Sequence, residues 1–273
     1  MYKYCFSTLG CYFIESEYGK GATFYVKIPL NLIFMQDKKI VDIVLKKVGK
    51  ALGDYQMIED GDKILVAVSG GKDSVTLFDV LKEKQRYLPY KYSLYSVHVD
   101  FFDDNYIDSE LCKYLKMYST ENYVINKNLI LTEKNLNCFR CSWVRRKEIF
   151  LLAKKIGCKK VALGHNLDDV VVTFLMNLFY HGEISTMPAK LEMFKGEIVL
   201  IRPLVYVTKG EIHKYVNYKK LPILESKCPY QTDKIFQRRK YLMELVEQLQ
   251  TYWPNIKKNI FNSLKKIKNE YLV

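Results

Sequence analysis

Ser69-Gly70-Gly71-Lys72-Asp73-Ser74 is the stretch of this sequence best equipped for chemistry. Two adjacent glycines accept positive φ and let backbone N–H groups converge on an oxyanion. Lys72 brings a point charge, Ser69 and Ser74 bring hydroxyls, and Asp73 can hold Mg2+ or cap a helix. A Walker loop would need four residues between its first glycine and the Gly-Lys pair, which this spacing lacks. An ordinary strand-to-helix turn asks for a glycine pair at most. The full hexapeptide exceeds that need and points to a phosphate site.

Cys138-Phe-Arg-Cys141, followed by Ser-Trp-Val-Arg145-Arg146, is the second cluster. Two thiolates at this spacing can share a soft metal or a cluster. They can equally be a redox couple or half of a zinc site. Cys228, in Glu-Ser-Lys-Cys-Pro-Tyr, lies downstream in a turn-like context. Three thiolates without a fourth would leave one coordination position open, which suits a catalytic centre better than a structural one. Cys112 and Cys158 read as packing residues, and Cys5 and Cys11 fall near the N-terminus. An odd total of seven cysteines argues against a disulfide framework.

The third cluster, Gly164-His165-Asn166-Leu167-Asp168-Asp169, directly follows the strand expected over Lys160–Leu163. Paired carboxylates at the carboxyl end of a strand can bind Mg2+ and polarise a reacting group. The plainer alternative is an Asn cap followed by two acidic first-turn residues.

These clusters need a scaffold, and hydrophobic periodicity supplies one. Ile64–Val68 is an unbroken apolar run typical of a buried parallel strand, and an amphipathic helix follows Ser74. Tyr92–Val99 reads as a strand, Ile107–Tyr118 as a helix, and Tyr123–Asn126 as a short strand. Arg145–Ile156 reads as a helix, Lys160–Leu163 as a strand and Asp168–Tyr180 as a helix. Such alternation predicts an α/β fold, a doubly wound parallel sheet with ligands at the carboxyl ends of its strands. Farther on, Thr208 and Glu211 form a capping box for another helix, and helices are expected over 233–250 and 254–270.

The formal charge of +13 over 273 residues suits a polyanionic partner. From Lys234 to Val273 nine Lys/Arg face three Glu, a tail that can lie along RNA or form a solvated helical cap. No apolar run reaches the roughly 18 residues of a membrane span, and no signal peptide is visible, so a cytoplasmic protein with no membrane partner is expected.

The hexapeptide resembles the SGGxDS signature of the pyrophosphate-loop ATPases, whose fold is adenine nucleotide alpha hydrolase-like. That resemblance implies ATP cleaved between its α and β phosphates, with an adenylated intermediate. Cys-Phe-Arg-Cys-Ser-Trp-Val-Arg-Arg, then Ala-Leu-Gly-His-Asn-Leu-Asp-Asp, the turn Thr186–Leu191, Ile-Arg-Pro-Leu and a late Cys228 together resemble the tRNA 2-thiocytidine synthetase group. The likeness runs from about Asp37 to the late 240s; the turn departs at its first residue and at its second proline. It implies ATP, Mg2+ and a [4Fe–4S] cluster on Cys138, Cys141 and Cys228. The substrate it implies is an anticodon-loop cytidine of tRNA, at position 32. A sulfur donor such as a cysteine desulfurase and a homodimeric state come with it. Asp73, Arg145 and Asp169 are the catalytic residues so implied, with Asp73 and Asp169 at Mg2+. The nucleotide falls to Ser69, Gly70, Gly71, Lys72, Asp73, Ser74, Gly164 and His165, and its base to the backbone near His98–Asp100.

Residues 15–30 resemble the closing strand pair of a histidine-kinase ATPase domain, in the Gly19 and Gly21 turn, Thr23 and an alternating tail. An appended, non-catalytic β-hairpin is expected over 1–31, a helical lead-in over 32–60, the ATPase domain over 61–225, and a basic helical C-terminal extension over 226–273. The functional chain is expected to begin near Met35. Lysidine synthase, which needs no cysteine trio, a zinc-site thiolase of the same fold, and a non-catalytic nucleotide or redox sensor are the competing readings.

Overall fold

The computed structural model describes residues 2–6, 10–17, 21–27, 30–101, 105–126, 138–224, 234–268 and 270, with side chains from residue 39 onward except 138, 139 and 234–236. The chain forms two compact units, Met1–Ile43 and Val44–Val273. In the first, β1 (Tyr2–Phe6), β2 (Gly10–Glu17) and β3 (Gly21–Lys27) pair antiparallel in sequence order, so the expected hairpin gains a third strand. Helix α1 (Leu30–Asp54) follows.

The second unit is a six-stranded sheet built from β4 (Asp62–Ala67), β5 (Tyr92–Asp100), β6 (Glu121–Asn126), β7 (Lys160–Ala162), β8 (Lys190–Met193) and β9 (Ile198–Ile201). Its order is β6-β5-β4-β7-β9-β8. All neighbours are parallel except β8, which runs antiparallel to β9 at the edge. The chain moves outward from β4 to β5 and β6, then returns to β7 on the other side of β4. That reversal makes the carboxyl ends of β4 and β7 the switch point, the place where open α/β sheets hold ligands. Val66 pairs with Ala162, so the turns leaving the two strands emerge at one level.

The helices are α2 (Lys72–Lys84), α3 (Glu110–Tyr118), α4 (Cys138–Ile156), α5 (Leu167–His181), α6 (Lys209–Lys219), α7 (Lys234–Tyr252) and α8 (Ile256–Ser263). Strand alternation turns Leu65, Val97, Val99, Val161 and Leu200 toward one face, where Ile149 and Ala153 of α4 close a core. Each such side chain contributes about 1.5–3 kcal/mol through burial. Helix α2 is buried without a break from Ser74 to Leu81, because it packs against the sheet and against α6. The one carboxylate in that stretch, Asp79, is fully buried and accepts hydrogen bonds from the Tyr114 hydroxyl of α3 (2.5 Å) and the Tyr215 hydroxyl of α6 (2.6 Å). Lys82 lies 2.8 Å away. Burial alone would raise the Asp79 pKa, but these donors together hold it below the ordinary carboxylate value.

Three differences from the periodicity have physical reasons. Helix α4 starts at Cys138 rather than Arg145, because Cys141 and Ile149 bury a face that outweighs the weak helix propensity of Cys, Phe, Trp and Val. The β8–β9 pair was not expected; its tight turn places Phe194 and Lys195 at φ of 52° and 58°, where glycine or asparagine is the usual signal. The last helix ends at Ser263, well short of the 254–270 span.

Candidate active site at the switch point

A cavity of about 250 Å3 opens at the carboxyl ends of β4 and β7. Ser69, Asp73 and Ser74 line it from the β4–α2 turn, and Val97 and Val99 from β5. Ser142, Arg145, Arg146 and Ile149 of α4 form the facing wall, and Leu163, Gly164, His165 and Asp169 come from the β7–α5 turn. All three motifs therefore contribute an element to one site.

The β4–α2 turn is braced from within. Ser74 Oγ accepts from the Ser69 N–H (3.1 Å) and donates to the Gly71 carbonyl (2.9 Å). Gly70 has φ +87°, a left-handed conformation, and a Cβ there would lie 2.6 Å from Leu224 Cβ. Its carbonyl accepts from the Leu224 N–H at 3.0 Å. Gly164 is required by its neighbour rather than by its own φ. A Cβ at Gly164 would meet the backbone N and Cα of Ser74 at 3.0 Å. The two turns are thus packed backbone to backbone.

Asn166 caps α5 and shares a capping box with Asp169, whose side chain accepts from the Asn166 N–H at 3.2 Å. The other Asp169 oxygen lies 3.2 Å from Arg239 Nη2 on α7. Asp168 faces away from the cavity, accepting from the Lys209 N–H (2.8 Å) and pairing with Lys257 (2.6 Å). Burial and the nearby charge of Asp169 raise Asp73 to a pKa of about 6, against the opposing pull of Lys209 and the Asn166 amide. Two carboxylates crowded at a partly buried site are a natural cradle for a divalent cation, which would relieve both.

His165 sits at the other end of this turn. Burial and the Arg202 charge lower its pKa to about 4, with Asp169 opposing. Arg202 Nε donates to His165 Nδ1 at 3.2 Å, while Nη1 donates to the Pro188 carbonyl at 2.6 Å. A guanidinium only donates, so Nδ1 is the acceptor, and the neutral ring carries its proton on Nε2. Arg202 is the arginine of Ile-Arg-Pro-Leu, and Pro188 belongs to the Thr186–Leu191 turn; both had been noted as markers without a role. Arg202 and Arg239 are the residues sequence reasoning missed, since neither contact is local.

Arg145 stands in the cavity wall. Its guanidinium lies over the Phe101 ring, 5.0 Å from the centroid, and its Nε is buried without a hydrogen-bond partner. Such an orphaned donor beside an anion-binding turn awaits an acceptor. The cysteine pair fits a cluster: Cys138 opens α4, Cys141 follows one turn later and is buried, and Arg145 comes one further turn along. A helix N-terminus also favours thiolate over thiol. Cys228 lies outside the described residues, as does the Cys138 side chain.

Other expectations separate. Lys72 is exposed and donates to His213 Nδ1 at 2.9 Å instead of lining the cavity. The stretch His98–Asp100, expected to meet the base through its backbone, reaches the cavity at Val99, while alternation along β5 keeps the His98 and Asp100 side chains out of the lining. His98 Nδ1 donates to the Val68 carbonyl at 2.8 Å and its ring stacks on Tyr106 at 4.1 Å, which steadies the end of β4 just before the loop.

A family model described as a PP-loop domain matches residues 41–248. A tRNA-cytidine(32) 2-sulfurtransferase of Acinetobacter baylyi is 33% identical over 260 residues, covering 93% of this chain and 84% of that protein. One of Janthinobacterium sp. is 35% identical over 248 residues, covering 88% and 77%. Among solved structures, the U34-tRNA thiolase NcsA from Methanococcus maripaludis with its [4Fe–4S] cluster aligns with a TM-score of 0.70 at 23% identity, over 86% of this chain and 82% of that one, a likeness of fold.

Proposed function

We propose that this chain, which belongs to the PP-loop domain family and within it to the tRNA-cytidine(32) 2-sulfurtransferases, uses ATP to replace the C2 oxygen of cytidine 32 in tRNA with sulfur. One observation carries the reading: the glycine-rich turn, the Asp73–Asp169 pair and Arg145 of the CxxC helix share a single cavity.

ATP phosphates rest on the N–H groups of the Ser69–Ser74 turn and the first turn of α2, where the helix dipole favours anions. Asp73 and Asp169 would hold Mg2+, which supplies charge neutralisation at the phosphates. The cytidine C2 oxygen attacks the α phosphorus and pyrophosphate leaves. Cys138, Cys141 and Cys228 would hold a [4Fe–4S] cluster, which would supply the sulfur that replaces the C2 oxygen. Addition at C2 then expels the oxygen with AMP. Arg145 offsets negative charge developing there, and His165 presents its Nε2–H as a neutral donor. Unstacking the base costs a few kcal/mol. Support for Cys228 comes from chain length: Leu224, bonded to Gly70, precedes it by four residues, about 14 Å when extended.

A cysteine desulfurase as donor, a homodimeric state, a cytoplasmic location and a non-catalytic segment 1–31 complete the proposal. For the location, no helix among the described residues is long and apolar enough to cross a membrane. The decisive test is mass spectrometry of nucleosides after cluster-reconstituted enzyme meets tRNA, MgATP and sulfide. Wild type should yield 2-thiocytidine with AMP and pyrophosphate, and Cys138→Ala and Cys228→Ser should yield neither brown protein nor product. Absence of 2-thiocytidine with wild type overturns the reading.

A further inference from the structure

A second cavity, of about 590 Å3, lies on the far side of the α5 N-terminus from the first. Leu167 belongs to its lining, whereas Asp169, two residues on, belongs to that of the catalytic cavity. Five lysines line it: Lys47 and Lys50 from α1, Lys257 and Lys258 from α8, and Lys265. Two are neutralised, Lys47 by Glu211 at 2.7 Å and Lys257 by Asp168 at 2.6 Å. Among the described residues, Lys50 and Lys258 have no acidic partner. Lys265 is held by the Tyr206 hydroxyl (3.0 Å) and over the Tyr55 ring (4.7 Å). Asp54 is the one carboxylate in the lining, and it accepts from Tyr206 at 2.8 Å.

The placement of α8 is the telling feature. Its N-terminus opens on this cavity, and Asn255 at the N-cap makes no side-chain cap hydrogen bond. Two lysines and no acid occupy its first turn, the reverse of what the helix dipole favours. A positive helix end without a side-chain cap and two lysines thus gather at one place. An anion in the cavity would repair the mismatch, and the three lysines without a carboxylate partner give it somewhere to bind.

We propose that this cavity binds a backbone phosphate of the tRNA strand next to the nucleotide being modified, a role that rests on the function proposed above. The ligand chemistry is a nucleotide phosphate, which a free nucleotide could also bring. The tRNA strand is favoured because the cavity and the catalytic centre share the first turn of α5, so one strand can span both. Lys257, bound to Asp168, ties the second wall to the residue beside Asp169. Phosphate contacts of this kind position the strand without reading sequence.

The test uses full-length, cluster-reconstituted protein and a transcribed tRNA carrying cytidine at position 32. Lys50→Glu/Lys258→Glu should raise the tRNA Kd at least tenfold at about 0.1 M salt and flatten the log Kd–log salt slope by about 1 to 2. ATP affinity by calorimetry should stay within about twofold of wild type, a margin well below the roughly tenfold per 1.4 kcal/mol of a lost contact. Lys50→Gln/Lys258→Gln should show the same change at smaller size, should charge reversal impair folding. Equal tRNA affinity and salt slope in both variants overturns the cavity assignment alone, whereas wild type that binds no tRNA overturns the proposed function with it. AMP binding at a second site that these variants lose, with tRNA affinity unchanged, assigns the cavity to a free nucleotide and overturns the tRNA assignment.

Discussion

Replacing Asp73 with Asn should make the protein more stable and inactive at once. Asp73 titrates near 6 rather than 3.8, chiefly through burial and then through Asp169. Above the unfolded value the denatured chain sheds its proton before the folded chain does, so stability falls as pH rises and levels off once the folded pKa is passed. At about 1.36 kcal/mol per pKa unit, the difference amounts to about 3 kcal/mol against folding above pH 7, about half that at pH 5, and little at pH 4. Asn carries no charge and escapes the penalty. It forfeits the interaction of a first-turn carboxylate with the α2 dipole, about 0.3–1 kcal/mol. A net gain of about 2 kcal/mol is expected at pH 8, shrinking to under about 1 kcal/mol at pH 5. Denaturant titrations of parent and variant at both pH values, without ATP, measure it. MgATP should then stabilise the parent more than the variant, and pyrophosphate release should drop by two orders of magnitude or more. A variant no more stable than the parent at pH 8, or a gain equal at both pH values, would refute the electrostatic account of this site.

Arg145→Ala should leave iron content unchanged while thiolation falls by about 10²–10³-fold, read from nucleoside analysis beside cluster absorbance; loss of the cluster would reassign Arg145 to folding of α4. Arg202→Gln should raise the His165 pKa from about 4, yet keep it below 6.5 because burial is the larger cause. An NMR titration of the ring reads that shift, and denaturation should show a loss of about 1–3 kcal/mol from the stranded Pro188 carbonyl. Asp79→Ala removes the acceptor shared by Tyr114, Tyr215 and Lys82, and should cost about 3–5 kcal/mol in denaturant melts with no change in ATP affinity for the folded fraction.

The nucleotide end of the site was legible because it is local. A buried strand, a glycine pair and a helix start are contiguous in sequence from Ile64 to Ser74, and Lys160 to Asp169 repeats the arrangement with carboxylates. What escaped is long-range or set by packing. Arg239 reaches Asp169 across 70 residues, and Arg202 reaches His165 across 37, so no spacing announces either. Lys72 has the residue type for a phosphate but starts α2 on its outer side, toward His213. Strand parity along β5 gives the cavity the Val97 and Val99 side chains, and a motif alone cannot fix that parity; the expectation of backbone contact near His98–Asp100 does not depend on it. The edge strand β8 and its neighbour β9 are only four residues each and join through a turn that lacks the usual residues, which leaves little periodicity to detect.

A receptor for oxyanions built from main chain must do more than offer hydrogens; it must also keep its own oxygens from repelling the guest. Both glycine carbonyls of the turn are already engaged, Gly70 by the Leu224 amide and Gly71 by the Ser74 hydroxyl and the Val75 amide. Because the shield at Gly70 is an amide hydrogen, position 224 tolerates many side chains but not proline, which would bare a lone pair toward the phosphates while leaving every recognised motif residue in place.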